Sequence, residues 1–93
     1  MKKFHFKLYV IGDNGASGYC ARNIHRICEE HLPGLYEITV IDMLESPELA
    51  RDAKVFVAPA LVREYPLPSR RIIGDLSNSA KVAHFLGITS GLR

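Results

Sequence analysis

The chain is expected to adopt an α/β fold with its elements in the order β-α-β-α-β-β-α. Three features predict it: an alternating apolar run at 3–11 that gives way to a helical pattern, a β-rich run after Pro33-Gly34, and two short apolar runs near the end joined by the proline-bearing stretch Tyr65-Pro66-Leu67-Pro68-Ser69.

Residues 3–11 alternate Phe4, Phe6, Leu8 and Val10 with His5, Lys7, Tyr9 and Ile11, so the first strand begins half-exposed and ends apolar on both faces. Such a strand enters the middle of a sheet. Gly12 to Gly18 carries turn chemistry, and Ser17 is placed to cap a helix. From Ser17 to Leu32, the apolar Cys20, Ala21, Ile24, Ile27, Cys28 and Leu32 share one side while Arg22, Arg26, Glu29 and Glu30 lie largely on the other. That is an amphipathic helix laid on a sheet, and Pro33-Gly34 stops it. Residues 35–42 then form a strand, parallel to the first through a right-handed crossover.

In Ser46-Pro47-Glu48-Leu49-Ala50, a cap, a proline at the first helical position and an acid in the first turn mark a short helix that ends near Lys54. Val55-Phe56-Val57-Ala58 resumes strand character, Pro59 interrupts it, and Ala60-Leu61-Val62 continues. A proline inside an apolar run marks an edge, a bulge or a cis bond. Residues 70–73 make the last strand, antiparallel to the one before it across 64–69, and Ser77 opens a closing helix that buries Val82, Phe85 and Leu86 and frays at Gly87. This order is the thioredoxin-like architecture, an analogy that fixes no function by itself.

One domain spanning 1–93 is expected, and a chain of 93 residues buries only roughly 60–65% of its unfolded surface. A formal charge of +2 with both signs interleaved gives no basic face for nucleic acid. No apolar run approaches membrane-spanning length, and the run after Lys7 is too short for a signal peptide. Two cysteines without a dense framework point to a reducing cytoplasm.

A thioredoxin-type enzyme needs a thiolate at the amino end of the first helix and a resolving cysteine three residues on. Here Gly15-Ala16-Ser17-Gly18 fills that loop, while Cys20 and Cys28 lie on the apolar stripe, so both read as small core hydrophobes. His25, Cys28 and His31 recur in steps of three, which winds them round about a third of the helix circumference, and no fourth metal ligand stands out. His5 and His84 have no recognisable partners. Gly12, Gly15 and Gly18 match neither a dinucleotide fingerprint nor a P-loop, so a turn is the better reading than an anion cradle. Arg70 and Arg71 adjoin Arg63 across the hairpin; they serve either as a charged edge that resists aggregation or as a partner contact, and neighbours on a strand face opposite ways. No catalytic residue set, metal site or cofactor motif is visible, and an enzyme is not expected.

Arg70-Arg71-Ile72-Ile73-Gly74-Asp75-Leu76-Ser77-Asn78 closely resembles the most characteristic motif of the KaiB family of bacterial clock proteins. The resemblance extends through Lys7-Leu8-Tyr9-Val10 with Gly12, then Tyr36, Val40-Ile41-Asp42, Leu44, Pro47, Leu49-Ala50 and Lys54. Pro59, Leu61, Pro66, Pro68 and Lys81-Val82 complete it. The resemblance implies a non-catalytic regulator that binds the N-terminal ring of the hexameric ATPase KaiC, and in cyanobacteria helps to sequester KaiA and displace a sensor kinase. It also implies a metamorphic chain: a tetrameric or dimeric ground state with a rearranged C-terminal half, and a rarer thioredoxin-like monomer competent to bind.

Carried over by resemblance, the ring-facing surface is Asp42, Ser46, Pro47, Glu48, Leu49 and Lys54, with Arg70 and Arg71 next; Leu49 is also a candidate core residue. The fold-switching role falls to Pro59, Pro66, Pro68 and Ile72-Ile73-Gly74-Asp75. Segment 55–93 is short and punctuated by Pro59, Pro66, Pro68, Gly74 and Gly87, so two packings within a few kcal/mol of one another are physically admissible. Four departures stand out. Leu67 breaks the triple proline usual before the double arginine, Tyr19 replaces a frequent arginine, the chain ends Ser90-Gly91-Leu92-Arg93 without an acidic tail, and Glu37 and Thr39 occupy the edge strand where KaiA contacts are expected, which weighs against that partner. Two alternatives remain: a thioredoxin- or glutathione-related oxidoreductase, and a free-standing relative of the KaiB-like sensory domain of histidine kinases acting in signalling or stress response.

Overall fold

The computed structural model describes residues 3–12 and 15–73, with Val82 and His84 beyond them. Its elements are β1 (Phe4–Val10), α1 (Gly15–His31), β2 (Tyr36–Asp42), α2 (Pro47–Asp52), β3 (Ala60–Tyr65) and β4 (Arg70–Ile73). Val82 and His84 are helical and Val82 is buried, whereas the remainder of the expected closing helix, including Ser77, Phe85, Leu86 and Gly87, lies outside the described residues.

The sheet order is β2-β1-β3-β4, so β1 takes the interior position its two apolar faces demand. β1 runs parallel to β2 and antiparallel to β3, and β4 closes an antiparallel hairpin with β3. Strand alternation then divides the core between the two faces. Phe6, Leu8 and Val10 of β1, with Leu61 and Ile72, pack under Cys20, Ile24, Ile27 and Cys28 of α1 and against Val82. On the opposite face Tyr9, Ile41, Ala60 and Val62 receive Ala50 of α2 and Val55. A hydrogen bond from the Tyr36 hydroxyl to Glu29 Oε1 at 2.7 Å ties α1 to β2.

Three sequence expectations are corrected. α1 begins at Gly15, which places Ser17 inside the first turn instead of at the cap. Ahead of it Gly12 has a φ of 74°, in the left-handed region that glycine tolerates. Residues 55–58 form no strand. Only Val55 of that run is buried; Phe56 and Val57 face solvent, and β3 begins at Ala60, after a cis Ala58–Pro59 bond. Finally, His5 has partners: its Nδ1 lies 3.4 Å from Glu37 Oε1 and its ring meets Tyr65 edge-on.

Candidate partner-binding surface

The turn from β2 into α2 is built around Asp42. Its Oδ1 accepts hydrogen bonds from the Gly12 amide at 3.0 Å and the Leu44 amide at 2.9 Å, while its carbonyl accepts the amides of Glu45 and Ser46. The Leu44 amide, and then the Gly12 amide, favour the charged form and hold the carboxyl below the usual aspartate range. Asp42 thus organises the surface from beneath, joining the β1–α1 turn to the α2 lead-in.

α2 itself follows from Pro47, pre-set for the first helical turn, and from Glu48, whose charge suits the helix N-terminus. Ser46 occupies the cap position, yet its side chain makes no capping hydrogen bond there. Ala50 is the buried residue of the helix, so the remaining face is turned outward. Leu49 is 45% exposed and Leu44 is 69% exposed, which corrects the reading of Leu49 as core. Leu44 and Leu49, on either side of Pro47 in the sequence, are thus both turned outward.

The two arginines of β4 separate as strand geometry requires. Arg71 pairs in register with Val62 on the α2 face, and its Nη1 and Nη2 donate to the carbonyls of Lys54 and Ala53 at 3.0 and 2.9 Å. Lys54 and Arg71 are therefore brought together at the end of α2, where Lys54 adopts a φ of 59°. Arg70 is paired with Arg63 on the other face and stands apart from this surface. Arg63, easily overlooked in the sequence, is only 6% exposed and donates from Nη2 to the Pro68 carbonyl at 2.8 Å, bracing the β3–β4 loop. Burial, and then the Arg70 charge opposite, push its pKa below the ordinary value. The sequence signal for it was an arginine directly after the apolar run Ala60-Leu61-Val62.

Of the residues given a fold-switching role, Pro59 precedes β3, Pro66 and Pro68 shape the β3–β4 loop, and Ile72 and Ile73 lie in β4, with Ile72 buried and Ile73 half-exposed. The peptide bonds before all three prolines are cis. Gly74 and Asp75 lie outside the described residues.

Cys20 and Cys28 are buried and form no disulfide, and desolvation, with the Glu29 charge adding to it, pushes the Cys28 thiol up to about 12. His25 packs edge-on against Tyr36 while His31 is exposed, so the three-step series His25, Cys28 and His31 does not converge on one point. No helix among the described residues is long and apolar enough to cross a membrane.

Comparison with known proteins gives the same architecture and a family. The N-terminal domain of Synechococcus elongatus SasA superposes with a TM-score of 0.77 over 100% of this chain and 91% of that one, at 20% identity. Mitochondrial thioredoxin 3 from Saccharomyces cerevisiae superposes with a TM-score of 0.71 over 97% and 80% of the two chains, at 16% identity. The fold is thioredoxin-like. In sequence, the chain is 42% identical over 82 residues to the circadian clock protein KaiB3 of Synechocystis, covering 88% of this chain and 80% of that protein. It is 40% identical over 90 residues to the circadian clock oscillator protein KaiB of Synechococcus elongatus, covering 97% and 88%. The KaiB domain model matches residues 7–88, and the chain belongs to the KaiB family.

Proposed function

We propose that this chain is a non-catalytic clock regulator of the cytoplasm that binds the N-terminal ring of a KaiC-type hexameric ATPase through α2 and its lead-in. The outward display of Leu44, Glu48 and Leu49 on the Asp42-tied turn carries the reading, because it offers a partner apolar side chains together with a charge on a fixed frame. Ser46, Pro47 and Lys54 frame the surface. A sensor kinase whose sensory domain shares this fold would compete for the same place on the ring. Membership of the KaiB family supports the clock role, and two cysteines in no disulfide suit a reducing compartment.

The arrangement described here is the binding-competent one, and a second packing of residues 55–93, assembled as a dimer or tetramer, holds most of the population. Pro59, Pro66, Pro68 and the segment from Ile72 to Asp75 are the pivot. If only a minor fraction of chains is competent, apparent affinity falls in proportion and complex formation is slow.

The oxidoreductase alternative finds no support in Cys28. It is fully buried, and desolvation pushes its thiol up to about 12, which disfavours the thiolate that such chemistry needs.

The test is a time course of complex formation with a KaiC-type hexamer in ATP, followed by native mass. Slow growth of rings carrying up to six copies is expected. Rapid binding would keep the partner and remove the minor state, whereas no complex at concentrations well above micromolar would overturn the partner assignment.

A further inference from the structure

Six residues make a helix too short to hold its own conformation, so α2 depends on ties to its surroundings. Its inner face contributes Ala50, and the Val55 amide closes back onto the Ala50 carbonyl. At the far end, the last carbonyls of a helix lack intrahelical donors. Just past that end the Arg71 guanidinium donates to two consecutive carbonyls, those of the C-cap residue Ala53 and of Lys54 after it, at 2.9 and 3.0 Å. A planar fork suits two adjacent acceptors in a way that a single ammonium does not.

We propose that Arg71 is a positioning residue which fastens the carboxyl end of α2 to β4, and so sets the orientation in which α2 meets its partner. The proposal deepens the partner reading and rests on it for the binding arm alone. Arg71 reaches α2 only because β4 pairs with β3 in one register, Val62 opposite Arg71 and Leu61 opposite Ile72. A slip of one residue would present Arg70 or Ile72 instead, since alternate residues face opposite ways. The tie therefore forms only when the C-terminal hairpin is correctly registered, and it joins that hairpin to a surface seventeen to eighteen residues earlier in the chain. Arg71 spends its donors inward, on the backbone of its own chain, and acts on the partner through α2.

Arg71→Ala and Arg71→Lys separate this role from a direct charge contact. Amide hydrogen exchange is measured at Ala53, Lys54 and Val55, with Leu8 and Val10 of β1 as the report on the intact fold, beside affinity for a KaiC-type hexamer. In Arg71→Ala, exchange at these three amides, which close onto the carbonyls of Leu49, Arg51 and Ala50 in α2, accelerates on the order of tenfold, β1 protection is unchanged, and ring affinity falls on a similar scale. Arg71→Lys, which keeps the charge and loses the fork, resembles Arg71→Ala in both measurements. Wild-type α2 protection in Arg71→Ala overturns the proposal, and so does wild-type ring affinity in Arg71→Lys. If the wild-type chain itself fails to bind the ring, the partner reading falls while the exchange data still decide whether Arg71 fastens α2.

Discussion

Leu49→Ala separates surface from core at the position where the two readings of the sequence diverge. Burying a leucine side chain completely is worth about 1.5–3 kcal/mol. With Leu49 45% exposed, roughly half of that is at stake, and alanine returns a few tenths through its better helix propensity. The net loss is about 1 kcal/mol, a fall in Tm of about 4–8 °C for a domain of this size. Leu8→Ala supplies the contrast, since Leu8 is fully buried between both neighbouring strands and α1, and its truncation costs about 2.7–5 kcal/mol. If Leu49 anchors the ring, its removal lowers affinity by a further 1–2 kcal/mol, about 5- to 30-fold in Kd. Thermal melts of both variants, with ring binding measured on the folded protein well below the Tm, give both quantities. A Leu49→Ala chain that binds within twofold of wild type, or one that loses as much stability as Leu8→Ala, would refute the reasoning.

Two further outcomes follow from local geometry. Ser46→Ala should change stability by less than about 0.5 kcal/mol in urea titration, where a working cap would cost about 1, because the Ser46 side chain makes no capping bond. Cys28 ties stability to alkaline pH: its folded pKa, about 12, lies above the ordinary value of 9.0, so its contribution is complete below pH 9 and is lost as pH rises towards 12. The urea midpoint of the wild type should therefore fall more steeply over that window than that of Cys28→Ala, and equal slopes would show that Cys28 ionises as readily folded as unfolded.

What the sequence made legible was local: the alternation of β1, the stripe of α1, the stop at Pro33-Gly34 and the Pro47 helix start all emerged at the expected places. Type preferences failed where a tertiary constraint outweighed about 1 kcal/mol of propensity. Ser17 is a good cap by residue type, yet α1 has already begun at Gly15, shortly after Gly12, whose amide is held by Asp42 across 30 positions. Val55-Phe56-Val57-Ala58 is β-rich by composition, yet among the described residues no strand pairs with it, and Val55 is instead buried against Ala50 of α2. The site divides in the same way. Its α2 core lay contiguous in sequence and could be named, whereas the uses of Asp42 and Arg71 depend on backbone groups brought in from other elements. The double arginine shows how far such reading goes. Strand parity alone predicts that Arg70 and Arg71 face opposite sides, but only the register with β3 reveals that one meets Arg63 and the other closes on α2. Two adjacent residues of one type therefore carry different physical tasks, and exchanging lysine for arginine should matter at position 71, where two carbonyls share one planar donor, more than at position 70.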